Sequence, residues 1–239
     1  MTIWGKLIGS TSGFALGGPL GGLIGALAGH AIDKIKKQKL PEKIVVKQIG
    51  FTIGVIALSA KMAKADGKVT KEEVIAFRKH IIIPNKEVNN VRKIWNQAKK
   101  SINGFEIYAS QLSKLFEPKS IVLQQLIHLL FNIAASDGKV NNEELLYLYE
   151  VSKIFGFTKN DFDKIKSYYL HNNYDPYKIL DVKKNTPLKI INQKRLKLIK
   201  KNHPDKLIAA GLPKEFIEKS TKEIQIINKA WEDIKNFNK

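Results

Sequence analysis

Through residues 43–170 the apolar side chains recur at three- and four-residue spacing and never settle into the alternation of a strand, so the pattern predicts helices. Val91, Ile94, Trp95 and Ala98 stand at i, i+3, i+4 and i+7, and Leu123, Leu126, Ile127 and Leu130 repeat that spacing. The block reads as a bundle of about seven helices. Two short motifs lie 71 positions apart in it: Asp66-Gly67-Lys68-Val69 returns as Asp137-Gly138-Lys139-Val140, and Glu72-Glu73 as Glu143-Glu144. Each motif predicts a helix, a turn and a helix. Glycine stops the first helix. Thr70 or Asn141 then caps the second, and Glu73 or Glu144 three residues on closes a capping box.

The pattern changes at both ends. Between Lys6 and Asp33 the chain carries no charge, and those 26 residues would span about 39 Å as a helix, enough for a hydrocarbon core of roughly 30 Å. Gly9, Gly13, Gly17, Gly21, Gly25 and Gly29 recur every fourth residue, so one helix face is bare enough for close approach by a second helix. In water that glycine content would oppose helix formation. Residues 1–33 are therefore expected as a transmembrane segment packing through these glycines into a homodimer. Lys34, Lys36, Lys37, Lys39 and Lys43 follow it, in a basic linker over residues 34–47, and orient the carboxyl side to the cytoplasm.

After the bundle, assigned to residues 48–170, the final segment 171–239 is again amphipathic. Asp175-Pro176 and Thr186-Pro187 each read as an N-cap with proline at the first helical position. They open YKILDV and LKIINQKRLKLIKKN, and the latter should end near Asn202 because the residue before Pro204 avoids the helical region. Pro213 opens a further helix with Ile224, Ile227, Trp231 and Ile234 as its apolar stripe. The two long helices should form an antiparallel hairpin whose loop carries His203-Pro204-Asp205. On the first of them Lys194, Lys197, Lys200 and Lys201 share one arc. Ile191, Leu196, Leu198 and Ile199 take the other, with Arg195 in their midst.

Charge sharpens the picture. The 239 residues hold 41 basic and 22 acidic side chains, a formal net charge of +19, but only three of the basic residues are arginine (Arg78, Arg92, Arg195). Lysine-borne charge argues weakly for specific nucleic-acid reading, which favours arginine. The absence of cysteine excludes disulfides, thiolate zinc sites and a thiol nucleophile. Asp66 with Glu72 and Glu73 offers too few alternating oxygens for a calcium loop, and no metal or other cofactor is expected. His203 and Asp205 lack the nucleophile and pocket of a catalytic dyad, so no catalytic residue is assigned.

The middle block is similar to the TerB-like helical domain, on its ADGKV and SDGKV motifs. The last block resembles the J-domain of DnaJ-type co-chaperones, on YKIL, a basic helix, HPDK and INKAWEDIK, over residues 174–239. The order of the three parts resembles a membrane-anchored DnaJ-like co-chaperone. The resemblance implies an all-α protein of the bacterial inner membrane, single-pass, with its carboxyl-terminal domains in the cytoplasm. It implies that His203, Pro204 and Asp205 dock on a DnaK-type ATPase chaperone and that Lys194, Lys197, Lys200 and Lys201 meet an acidic surface of that partner. Two departures stand out. Arg195 replaces a tyrosine eight positions before the histidine and must snorkel or pair, and Leu196 replaces an arginine whose role is not carried over. The zinc-binding and Gly/Phe-rich regions of general DnaJ proteins are absent. The competing readings are a membrane scaffold with an inactive J-domain and a nucleic-acid-binding membrane protein.

Overall fold

The structure, a computed structural model, describes residues 42–64, 75, 77, 81, 83, 85, 88–100, 104–170, 174–217 and 221–237. The glycine stripe, the basic stretch 34–41, the first Asp-Gly-Lys-Val motif and the Thr70–Glu73 cap lie outside them. The regular elements among the described residues are all helices, without a strand. The bundle contains α1 (Glu42–Met62), α2 (Val88–Ala98), α3 (Phe105–Phe116), α4 (Ile121–Ala134), a 3-10 turn (Ala135–Asp137), α5 (Asn142–Ile154) and α6 (Lys159–Ser167). There follow α7 (Pro176–Ile179), α8 (Leu188–Lys201), α9 (Pro204–Ala209), α10 (Lys214–Ile217) and α11 (Thr221–Phe237). Among the described residues no helix is long and apolar enough to cross a membrane.

The second repeat folds as its sequence directs. Gly138 sits at φ +93°, the left-handed region that stops the preceding turn at little cost for glycine. Asn141 then caps α5: its Oδ1 accepts from the Glu144 amide at 2.7 Å, and Glu144 Oε2 accepts from the Asn141 amide at 3.0 Å. Leu123, Leu126, Ile127 and Leu130 are fully buried, and Val91, Ile94, Trp95 and Ala98 are buried as well, as the spacing predicts.

At the centre α1 runs through the bundle, buried from Gln48 to Ala63. It approaches α3 closely because Gly50 and Gly54 present no side chain. A Cβ on Gly54 would stand 2.4 Å from Leu112 Cδ1, and one on Gly50 2.4 Å from Leu115 Cδ2. A second, smaller core joins Ile179, Leu180, Ile191, Ile227, Ala230 and Ile234 between α7, α8 and α11. Trp231 lies against it half-buried.

The segment connecting α8 to α11 does not belong to that smaller core. Leu207, Leu212, Phe216 and Ile217 are buried in the bundle core instead. The Phe216 ring meets Phe51 of α1 edge-on, with centroids 5.0 Å apart. The hairpin is thus seated on the bundle by its connecting loop.

Candidate functional site

Two expectations of the local sequence reading need correction. Thr186 does not cap α8: Pro187 occupies the N-cap position, and the Thr186 hydroxyl accepts from the Lys183 amide at 3.2 Å, closing the preceding turn. Asp175, by contrast, caps α7 by accepting from the Tyr177 and Lys178 amides. Leu196 is not on the packed arc of α8. It is 51 % exposed, whereas Ile191 is buried and Leu198 and Ile199 are half-buried against the smaller core.

α8 ends at Lys201, and buried Asn202 forms its C-cap, as the following proline requires. His203 then becomes the N-cap of α9, with Pro204 at the first helical position. His203 Nδ1 accepts from the Asp205 amide at 3.2 Å and lies 3.6 Å from Asp205 Oδ2. One nitrogen cannot serve both: the amide bond needs its lone pair, and the carboxylate gains an ion pair only if that nitrogen is protonated. The side chains of His203 and Asp205 are 55 % and 84 % exposed, so the turn presents both polar groups outward on a backbone fixed by proline. An exposed pair two residues apart lacks the shielded, mutually oriented geometry of an acid–base dyad.

The lysine stripe is divided. Lys194 Nζ lies 3.3 Å from Asp181 Oδ2, and Lys201 Nζ donates to Gln124 Oε1 of α4 at 3.5 Å. Asp181 also takes an ion pair from Lys164 of α6, and that hydrogen bond, followed by the one from Lys194, holds its carboxyl below the usual carboxylate range. Lys197 and Lys200 are exposed, with no acidic partner among the described residues. Among the described residues Lys197 and Lys200 thus have no acidic partner on the helix that leads into the turn, while Lys194 and Lys201 are tied back to the protein.

Arg195 pairs, as an arginine on that arc must. Its Nε donates to Asn192 Oδ1 and an Nη to Asn228 Oδ1, both at 3.1 Å, and the guanidinium lies 5.6 Å from the centre of the Trp231 ring.

The sequence reading missed a buried polar cluster directly under the turn. Gln125 and His128 of α4 meet Asn202 and Glu223 there, and all four are buried. The available signal was Gln125 and His128, three residues apart, in a helix whose remaining positions are almost all apolar. Among the described residues no group of three or more His, Cys, Asp or Glu side chains is placed to hold a metal ion.

Comparison with known proteins fits this geometry. Residues 1–41 match the family model described as the co-chaperone DjlA transmembrane domain, and residues 52–167 match that of the tellurite resistance protein TerB. The chain is 26% identical over 263 residues to the co-chaperone protein DjlA of Coxiella burnetii, covering 97% of this chain and 96% of that one. It is 23% identical over 271 residues to the DjlA of Photobacterium profundum (98% of each chain). With the DjlA of Legionella pneumophila it shares 25% identity over 281 residues, covering 97% of this chain and 94% of the relative. No solved structure matches the chain. With a transmembrane-domain match at one end, a TerB match through the helical bundle and relatives of the same name along nearly the whole length, this chain is similar from end to end to the co-chaperone proteins named DjlA.

Proposed function

We propose that the protein is a bacterial inner-membrane co-chaperone whose His203-Pro204-Asp205 turn docks on a DnaK-type ATPase and stimulates its ATP hydrolysis. The observation that carries this is the turn itself: fixed by proline at the start of α9, outward-facing, and preceded on α8 by the exposed cations Lys197 and Lys200, which have no acidic partner among the described residues. Exposed cations beside a fixed recognition element speed encounter with an acidic surface and set its orientation. ATP is hydrolysed by the partner. The turn contributes by favouring the partner conformation that hydrolyses, which requires only that it bind that conformation more tightly.

Anchorage and assembly complete the proposal. Residues 1–33 form a single span, with the bundle and hairpin on its cytoplasmic side because the lysines follow the span. Gly9 to Gly29 pair two spans into a homodimer. The co-chaperone names of the relatives support a chaperone as the kind of partner.

The test is single-turnover ATP hydrolysis by the DnaK-type chaperone of the same organism, with the full chain in lipid vesicles. Stimulation by the unmodified protein, and its loss in His203→Gln, is expected. Failure of the unmodified protein to stimulate would shift the reading to a membrane scaffold.

A further inference from the structure

The residue just before the docking turn is held from outside its own hairpin. Asn202 donates through Nδ2 to the Leu198 carbonyl at 2.9 Å, which orients its Oδ1 to accept from Gln125 Nε2 at 3.1 Å. The same Gln125 nitrogen donates to Glu223 Oε2 at 2.8 Å. Gln125 therefore uses both amide hydrogens across the junction, one on the cap of α8 and one on α11. These partners lie 77 and 98 residues away in sequence. We propose that Gln125, on the TerB-like bundle, is a positioning residue for the His203-Pro204-Asp205 turn, clamping it through Asn202 and Glu223. The inference rests on the docking role proposed above for that turn.

The surroundings of Glu223 give the clamp its conditions. From α4 it faces Gln125 and His128, from α8 Lys201 and Asn202, and from the end of α6 Tyr168 and Tyr169. The Tyr169 hydroxyl donates to the His128 carbonyl at 3.0 Å and lies 2.9 Å from His128 Nδ1. Where the hydroxyl gives its hydrogen to the carbonyl it can only accept from Nδ1, and in that tautomer Nδ1 carries the imidazole proton. Nε2 is then a buried lone pair without a hydrogen bond, 3.3 Å from Glu223 Oε1. A protonated Glu223 supplies the missing donor. Burial pushes the Glu223 carboxyl up to about 8, against the Gln125 bond and Lys201, and pushes His128 down to about 3. The raised carboxyl gives stability that is full below its ordinary value of 4.5 and is lost as pH rises through about 8. The lowered imidazole makes the opposite demand, at the expense of stability as pH falls from 6.5 toward about 3. The packing around the clamp is most stable between those limits and is weakened on the alkaline side, where a buried carboxylate must be accommodated.

The test uses the full chain in vesicles, with Gln125→Met, which keeps the volume but donates no hydrogen bond, and Glu223→Gln, which mimics the protonated carboxyl. Two readouts are taken, the concentration of co-chaperone giving half-maximal ATPase stimulation and hydrogen exchange at the Lys206 and Leu207 amides, both bonded to the His203 carbonyl. Gln125→Met should raise the half-stimulating concentration about tenfold, leave the maximum unchanged and speed exchange at both amides. From pH 6.5 to 8.5 the unmodified protein should weaken about threefold or more relative to Glu223→Gln, which stays level. A Gln125→Met protein matching the unmodified one in both readouts, with intact helical content, overturns the clamp. If the unmodified protein does not stimulate at all, the docking role fails, and the exchange data alone decide whether Gln125 holds the turn.

Discussion

At the scale of single residues, Arg195 shows what a charged side chain requires on a packed face. Its three partners, Asn192, Asn228 and the Trp231 ring, come from α8 and α11, so it ties the hairpin together where an aromatic side chain would have filled it. Arg195→Leu would keep the aliphatic stem and leave two asparagine carbonyls and the ring face without the guanidinium. The expected loss is about 1–2 kcal/mol, read as a lowered unfolding midpoint in urea. Arg195→Lys should recover only part of it, because one ammonium cannot reproduce a planar fork. That Arg195 pairs was legible from sequence, since an arginine on an apolar arc has few other options. Its partners were not, because Asn228 lies 33 residues away. Glu223 was illegible for a related reason: a glutamate in the first turn of an amphipathic helix ordinarily faces water, and only tertiary packing drives this one inside.

At the scale of elements, local chemistry was read well and helix faces less so. The Asn141–Glu144 box and the stop at Gly138 involve neighbours in sequence, and both formed as expected. Thr186 failed as a cap because its hydroxyl had a competing acceptor role at the Lys183 amide, one of the local alternatives open to threonine. Leu196 failed as a core residue because the smaller core is narrow: Ile191, Leu198 and Ile199 already cover the α8 face toward α11. The contact between α1 and α3 depends on shape more than on polarity. In Gly54→Ala the new methyl would stand 2.4 Å from Leu112 Cδ1 and less than 3.0 Å from two further Leu112 atoms. Alanine favours the helix by about 1 kcal/mol over glycine, but overpacking of this kind costs about 1–3 kcal/mol. A net destabilisation is expected, measurable by chemical denaturation. A rise in stability would mean that Leu112 can swing away.

At the scale of the whole molecule, the hairpin and the bundle share a core. Leu207, Leu212, Phe216 and Ile217 contribute to the larger cluster although they lie between the two hairpin helices. Sequence could not place them, since short loop helices leave no periodicity to read. Phe216→Ala should therefore weaken the bundle as well as the hairpin. We expect a loss of about 3 kcal/mol, seen as one shifted transition by both far-ultraviolet circular dichroism and tryptophan fluorescence, to which Trp95 of the bundle and Trp231 of the hairpin both contribute. Two separated transitions would show that the parts unfold independently. The same contact seats the loop that follows the His203-Pro204-Asp205 turn against α1. Phe51, under Phe216, is nine residues from Glu42, or about 14 Å along a helix. The stretch matched to a transmembrane domain ends at residue 41. On the proposed anchoring of that stretch in the bilayer, the loop bearing His203 is tethered through α1, with no separate linker of its own. On the proposed function, a chaperone recruited by the turn would be recruited at that tether, which favours as clients the segments emerging from or lying against the bilayer.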